Sequence, residues 1–130
     1  MANLALKLFF VSFFINLLYE LIHSVLYKTC LEASFKKYVY LILKAAIFDG
    51  FIISILYFLS FLIFPGYYFL AFFIFTLLFA WFWEIYSIGK GKWEYSKNMP
   101  IVFGVGITPL IQLTLTGFAS LYIVILDKVI

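Results

Sequence analysis

Arginine is missing from all 130 residues, and charged side chains of every kind amount to 12%. Without Arg there is no planar fork for clamping phosphate or carboxylate. The nine Lys residues, set against six acids for a formal charge of +3, form no basic groove, which points away from nucleic acid as a partner. A single cysteine, Cys30, rules out an intramolecular disulfide and says nothing about redox compartment. One histidine, His23, rules out the doubled Glu-x-x-His set of di-iron bundles. No cofactor motif and no nucleophile motif is present.

What fills the chain is apolar: 67% of residues are hydrophobic, 24% aromatic, and the mean hydropathy is +1.16. A soluble domain of this size does not carry that composition. Uninterrupted apolar runs extend over Leu4 to Tyr27, about Tyr38 to Phe64, Tyr67 to Ile88 and Ile101 to Leu126. Each meets the roughly 20 residues needed to cross a bilayer as a helix. The expectation is therefore an all-α, multi-pass membrane protein, with residues 1–130 forming one four-helix bundle in a cell membrane and lipid as its surroundings. The first run is followed by no small-residue cleavage site and reads as a retained span rather than a signal peptide.

Pro65-Gly66 alone separates the second run from the third, which predicts a tight reversal and an antiparallel hairpin. The other two connections carry the charge: Lys28, Glu32, Lys36 and Lys37 in the first, and Lys90, Lys92, Glu94 and Lys97 in the last. With four crossings these loops share one side, and an excess of Lys makes that side cytoplasmic, leaving both termini outside. Tyr27-Lys28-Thr29-Cys30 reads as loop. Lys44 falls within the second run, either snorkelling along its own stem or ending an interfacial helix over Ser34 to Lys44. Tyr38, Tyr40, Trp81, Trp83, Trp93 and Tyr95 sit where an aromatic belt would, and Tyr27 and Tyr86, with Trp83 and Trp93, read as interface anchors.

Ionisable groups inside spans are expensive and default to functional candidates. Asn16, Glu20, His23, Ser24 and Tyr27 follow the spacing i, i+4, i+7, i+8, i+11, one stripe of a helix that should face the bundle. The second run adds Asp49 next to Gly50, the third Glu84, and the fourth Thr108 and Gln112 on a face shared with Gly104 and Thr116. Pro109 is expected to kink that last helix. Glu20, His23, Asp49 and Glu84 all fall in the half of the bundle nearest the charged loops and are the catalytic candidates. Asn16, Ser24, Tyr27, Trp93, Tyr95 and Gln112 are the substrate-binding ones.

Three uses of such a pocket differ in class. Glu20 and His23, one turn apart, make an acid/base pair for a lipid or isoprenoid substrate entering from the inner leaflet, with Asp49 and Glu84 orienting them or stabilising positive charge. The carboxylates instead make a cation or proton relay, for which four helices would need a homo-oligomer. Or the stripe docks a partner helix in a non-catalytic assembly subunit. Two further readings stand beside these: a structural charge network pairing Lys44 with Asp49 or Glu20, and an oxygen-rich set of Glu20, His23, Asp49 and Glu84 around one divalent ion. The expected site holds no metal and no cofactor.

Asn16-Leu17-Leu18-Tyr19-Glu20-Leu21-Ile22-His23-Ser24, an N-x-x-aromatic-E-x-x-H-S pattern, and Gly91-Lys92-Trp93-Glu94-Tyr95-Ser96-Lys97-Asn98-Met99-Pro100, a G-x-W-x-Y-x-x-x-M-P pattern, resemble a family of small four-helix prokaryotic integral membrane proteins. That resemblance implies the architecture and no particular activity. Glu84 to Gln112 is also similar to carotenoid-modifying membrane enzymes of the lycopene cyclase type, with an acid on one helix, a G-x-W-x-aromatic loop and a Gly/Pro-bearing helix. Their Pro-Leu/Ile-Glu-Glu-like motif corresponds to Thr108-Pro109-Leu110-Ile111-Gln112 here, with Gln in place of the carboxylate.

Overall fold

The computed structural model describes residues 2–129. Helix α1 covers Ala2–His23 and passes through a single 3₁₀ turn, Ser24–Leu26, before Tyr27 becomes extended. One helical turn, α2, covers Lys28–Leu31, where the sequence reads as loop. Helix α3 spans Phe35–Ile63, α4 Tyr68–Gly89 and α5 Ile107–Val129. The four long helices are each long and apolar enough to cross a membrane.

Each boundary has a local cause. Ser34 is extended and its hydroxyl accepts the Lys37 N–H, an N-cap that starts α3. Pro65, which cannot continue a helix, follows its end. At the end of α4 the Gly91 N–H donates to the Ile88 carbonyl and the Lys92 N–H to the Ser87 carbonyl, at 3.1 and 2.9 Å. This double closure requires a left-handed residue, and Gly91, at φ +69°, supplies it. The chain is thereby folded back over the helix it has just left.

Residues ahead of α5 differ from the sequence expectation. Ile101–Val102 and Val105–Gly106 form a two-stranded antiparallel hairpin, β1 and β2, with Phe103 at φ 52° and Gly104 at φ 79° in its turn. Two successive positive φ values define the two-residue turn whose twist suits such a hairpin. Helix α5 therefore begins at Ile107, Pro109 lies in its first turn where a missing N–H costs nothing, and the expected kink does not arise. Gly104 belongs to the hairpin rather than to the face of Thr108, Gln112 and Thr116.

Neighbours in the bundle run antiparallel, and each long helix packs mainly on two others, in the cyclic order α1, α3, α4, α5. Leu8, Ile53, Phe72, Ala80, Leu113, Leu121 and Val124 form the buried apolar core. Small residues let the helices close on it: a Cβ on Gly117 would lie 2.8 Å from Phe72 Cζ. At the end holding both termini an exposed Lys7–Asp127 ion pair links α1 to α5. At the other end the charged segments are stitched together. Ser96 N–H donates to the Leu26 carbonyl at 2.8 Å, Glu94 N–H to Thr29 Oγ1 at 2.8 Å, and Tyr27 bridges Tyr95.

Candidate functional site

Helix α1 contributes the polar stripe. Its lower members meet α5: Asn16 Nδ2 donates to the Ser12 carbonyl at 2.9 Å, while Asn16 Oδ1 lies 3.0 Å from Gln112 Nε2 and 3.1 Å from Thr116 Oγ1. Gln112 Nε2 is also 2.8 Å from Glu20 Oε1 and 2.9 Å from Asp49 Oδ2. A primary amide has two hydrogens and here faces three acceptors. The count closes when Thr116 gives its hydroxyl proton to Asn16, so that Gln112 donates to the two carboxylates. One amide nitrogen thus holds an acid from α1 beside an acid from α3.

His23 stands behind Glu20. Its Nε2 is 3.0 Å from Glu20 Oε2 and its Nδ1 3.1 Å from Thr108 Oγ1, and the side chain is 5% exposed against 13% for Glu20. Thr108 Oγ1 lies 3.4 Å from Met99 Sδ as well. With the Thr108 proton on Nδ1 the ring is neutral, and with that proton turned to Met99 both ring nitrogens carry hydrogen. In either state Nε2–H faces Glu20. The threonine rotor lets one geometry accept both charge states of the histidine. The rings of Tyr19 and Tyr27 pack edge-on against the imidazole at 4.8 and 5.3 Å between centroids, and the Tyr19 hydroxyl donates to the Thr108 carbonyl at 2.6 Å.

Glu84, on α4 and 4% exposed, is gripped by the returning segment. The reversal at Gly91 brings Trp93 Nε1 to 3.0 and 3.2 Å from its two oxygens, and the Tyr95 hydroxyl donates to Oε2. The hairpin fixes Tyr95 in turn, since Gly106 N–H donates to its oxygen at 2.9 Å. The glycine also leaves room for Met99, since a Cβ there would meet Met99 Sδ at 2.7 Å. Burial raises the Tyr95 hydroxyl above its ordinary range, with the Glu84 contact adding to it, and burial does the same to Tyr27. Both remain neutral phenols, so Tyr95 is a permanent donor to Glu84.

These elements enclose a cavity of about 420 Å³ at the loop end, lined by Glu20, Asp49 and Glu84 together with Tyr27, Trp93 and Gln112. Its apolar wall comes from α3 and α4, with Phe48 and Trp83 stacked at 4.8 Å. His23, Asn16, Ser24 and Tyr95 do not line it. They hold those that do, and Ser24 itself pairs with the Tyr38 hydroxyl at 2.8 Å. Tyr27 and Trp93 are built into the site rather than standing as free anchors at a boundary. Lys44 does not pair with Asp49 or Glu20. Helix α3 is continuous through it, and its ammonium lies 5.7 Å over the Tyr40 ring. At 1.5 Å per residue, 29 residues extend about 43 Å, longer than a hydrocarbon core of roughly 30 Å.

Among the described residues no group of three His, Cys, Asp or Glu side chains is arranged to hold a metal ion, so the divalent set is not assembled. Sequence reasoning missed the roles of Thr108, Met99 and Tyr19 around His23, and gave Lys92 only a topological meaning although it lines the cavity. The adjacency of Lys92 to Trp93 behind a helix-ending glycine was the available signal. Comparison with protein-family models, with curated proteins and with solved structures finds no match for this chain.

Proposed function

We propose that the chain is a multi-pass protein of the cell membrane, charged loops inside and termini outside, that performs acid/base chemistry on a lipid or isoprenoid. The observation that carries this reading is the meeting of three carboxyl groups, Glu20, Asp49 and Glu84, on one cavity whose remaining wall is aromatic and aliphatic. An apolar substrate slides between α3 and α4, the helices that supply that wall. Glu20 gives or takes the proton, and His23 Nε2–H, 3.0 Å behind it, holds the carboxyl in place and restores its charge balance. Asp49, on the same amide nitrogen, is the complementary group that receives the proton leaving the substrate. Positive charge developing on carbon meets Glu84 and the faces of Trp83, Trp93 and Phe48.

A transport reading needs a water path through the opposite half of the bundle, where Leu8, Ile53 and Phe72 are fully buried against one another. The test of the enzymatic reading is native mass spectrometry of the protein in mild detergent, with lipid extraction from the same sample. A retained lipid or isoprenoid is expected in the wild type and altered occupancy in Glu20→Gln and Asp49→Asn, both still folded. An empty cavity in all three proteins would overturn the proposal.

A further inference from the structure

The acids lining the cavity are all engaged within the protein: Glu20 by His23 and Gln112, Asp49 by Gln112, Glu84 by Trp93 and Tyr95. The two lysines lining it are not. Lys44 comes from α3 and rests over Tyr40. Lys92 follows α4 and hangs 4.5 Å over Trp83 and 4.8 Å over Tyr86. Among the described residues neither reaches a carboxylate at ion-pair distance, whereas Lys7 and Lys28 each have one, Asp127 and Glu94. Lys44 on α3 and Lys92 just beyond α4 are therefore the cations of the lining that have no carboxylate partner. An exposed ammonium over an aromatic face is weakly held. A four-carbon stem lets it swing from the ring to an arriving anion.

We infer that Lys44 and Lys92 form a clamp for the phosphate headgroup of an amphiphile whose apolar tail lies along the wall of Phe48, Phe79 and Leu113; this rests on the reading of the cavity as a lipid site. Two ammonium groups match a dianionic phosphate, where a carboxylate would satisfy one. With the charged loops at the inner interface, as proposed above, the clamp lies at headgroup depth.

The test uses the whole protein in neutral maltoside detergent, titrated with farnesyl phosphate, farnesol and inorganic phosphate. Binding is read by quenching of tryptophan fluorescence, since Trp83 and Trp93 line the cavity, and by native mass spectrometry. Farnesyl phosphate is expected to bind at least about tenfold more tightly than farnesol, a difference of about 1.4 kcal/mol. Lys44→Gln with Lys92→Gln should erase that preference while farnesol still binds. Lys36→Gln with Lys97→Gln, on the same two segments but away from the cavity, should leave it intact. The single Lys92→Gln, at an exposed position beyond the helix, serves if the double variant does not fold. Equal binding of both tailed probes, a preference that survives loss of both lysines, or inorganic phosphate binding as tightly as its ester would each overturn the clamp and spare the cavity. Failure of both tailed probes to bind would overturn both.

Discussion

At the residue scale the site is organised by the single Gln of the chain. Gln112 satisfies two carboxylates at once, so Gln112→Leu, close in size but without donors, leaves Glu20 and Asp49 short of a hydrogen bond each. The expected loss is about 1–3 kcal/mol in stability, read as a lower thermal midpoint in detergent, while Lys7→Ala at the exposed pair should leave the midpoint where it is. Cys30 offers a second readout. It lines the cavity, and burial, then the charge of Glu20, raises its thiol above the ordinary range. A raised value means little thiolate at neutral pH, so alkylation by N-ethylmaleimide should be slow at pH 7, faster at pH 9, and slower again when a ligand fills the cavity. Reaction at pH 7 as fast as that of a free thiol would contradict this placement. The stripe from Asn16 to Tyr27 was legible because helical spacing is arithmetic. The division of labour within it was not, since whether Glu20 or His23 faces the cavity depends on how Thr108 and Met99 close behind the ring.

At the element scale, hydropathy located all four long helices to within a few residues, and Pro65-Gly66 located the hairpin. The beginning of α5 was misread for an identifiable reason. Ile101 to Gly106 is apolar enough to pass for helix, and only Gly104, free to take a positive φ, marks the turn of a hairpin there. The reversal after α4 was likewise written in Gly91, but its consequence, Trp93 and Tyr95 gripping Glu84, requires knowing that the chain turns back rather than onward. Packing between elements follows from small residues. Gly117 admits the buried ring of Phe72 against α5, so Gly117→Ala should force that ring or its helix outward. The cost is expected to be about 1–3 kcal/mol, measured by unfolding in detergent. An unchanged midpoint would show that the core yields there without strain.

At the scale of the whole molecule, the two charged loops are clasped at one end of the ring of helices, and the start of α1 and the end of α5 lie at the other, as four antiparallel helices require. In a Cys30→Ser background, Lys36→Cys should react with an impermeant thiol reagent only from the cytoplasmic face, and Gly66→Cys only from outside. The reverse pattern would invert the proposed orientation and put the cavity on the other leaflet. The cyclic order of the helices bears on synthesis too. Glu20 and its donor Gln112 are 92 residues apart in the chain, and Asn16 and Thr116 are 100 apart. At about 5–20 residues per second, a ribosome needs roughly 5–20 s to cover that distance. During that interval Asn16 and Glu20 lack their α5 partners, and Glu20 has only His23 of its own helix. Helix α5 is therefore the one that closes the ring, and a nascent chain stopped before it would present a polar stripe that quality-control proteases can recognise.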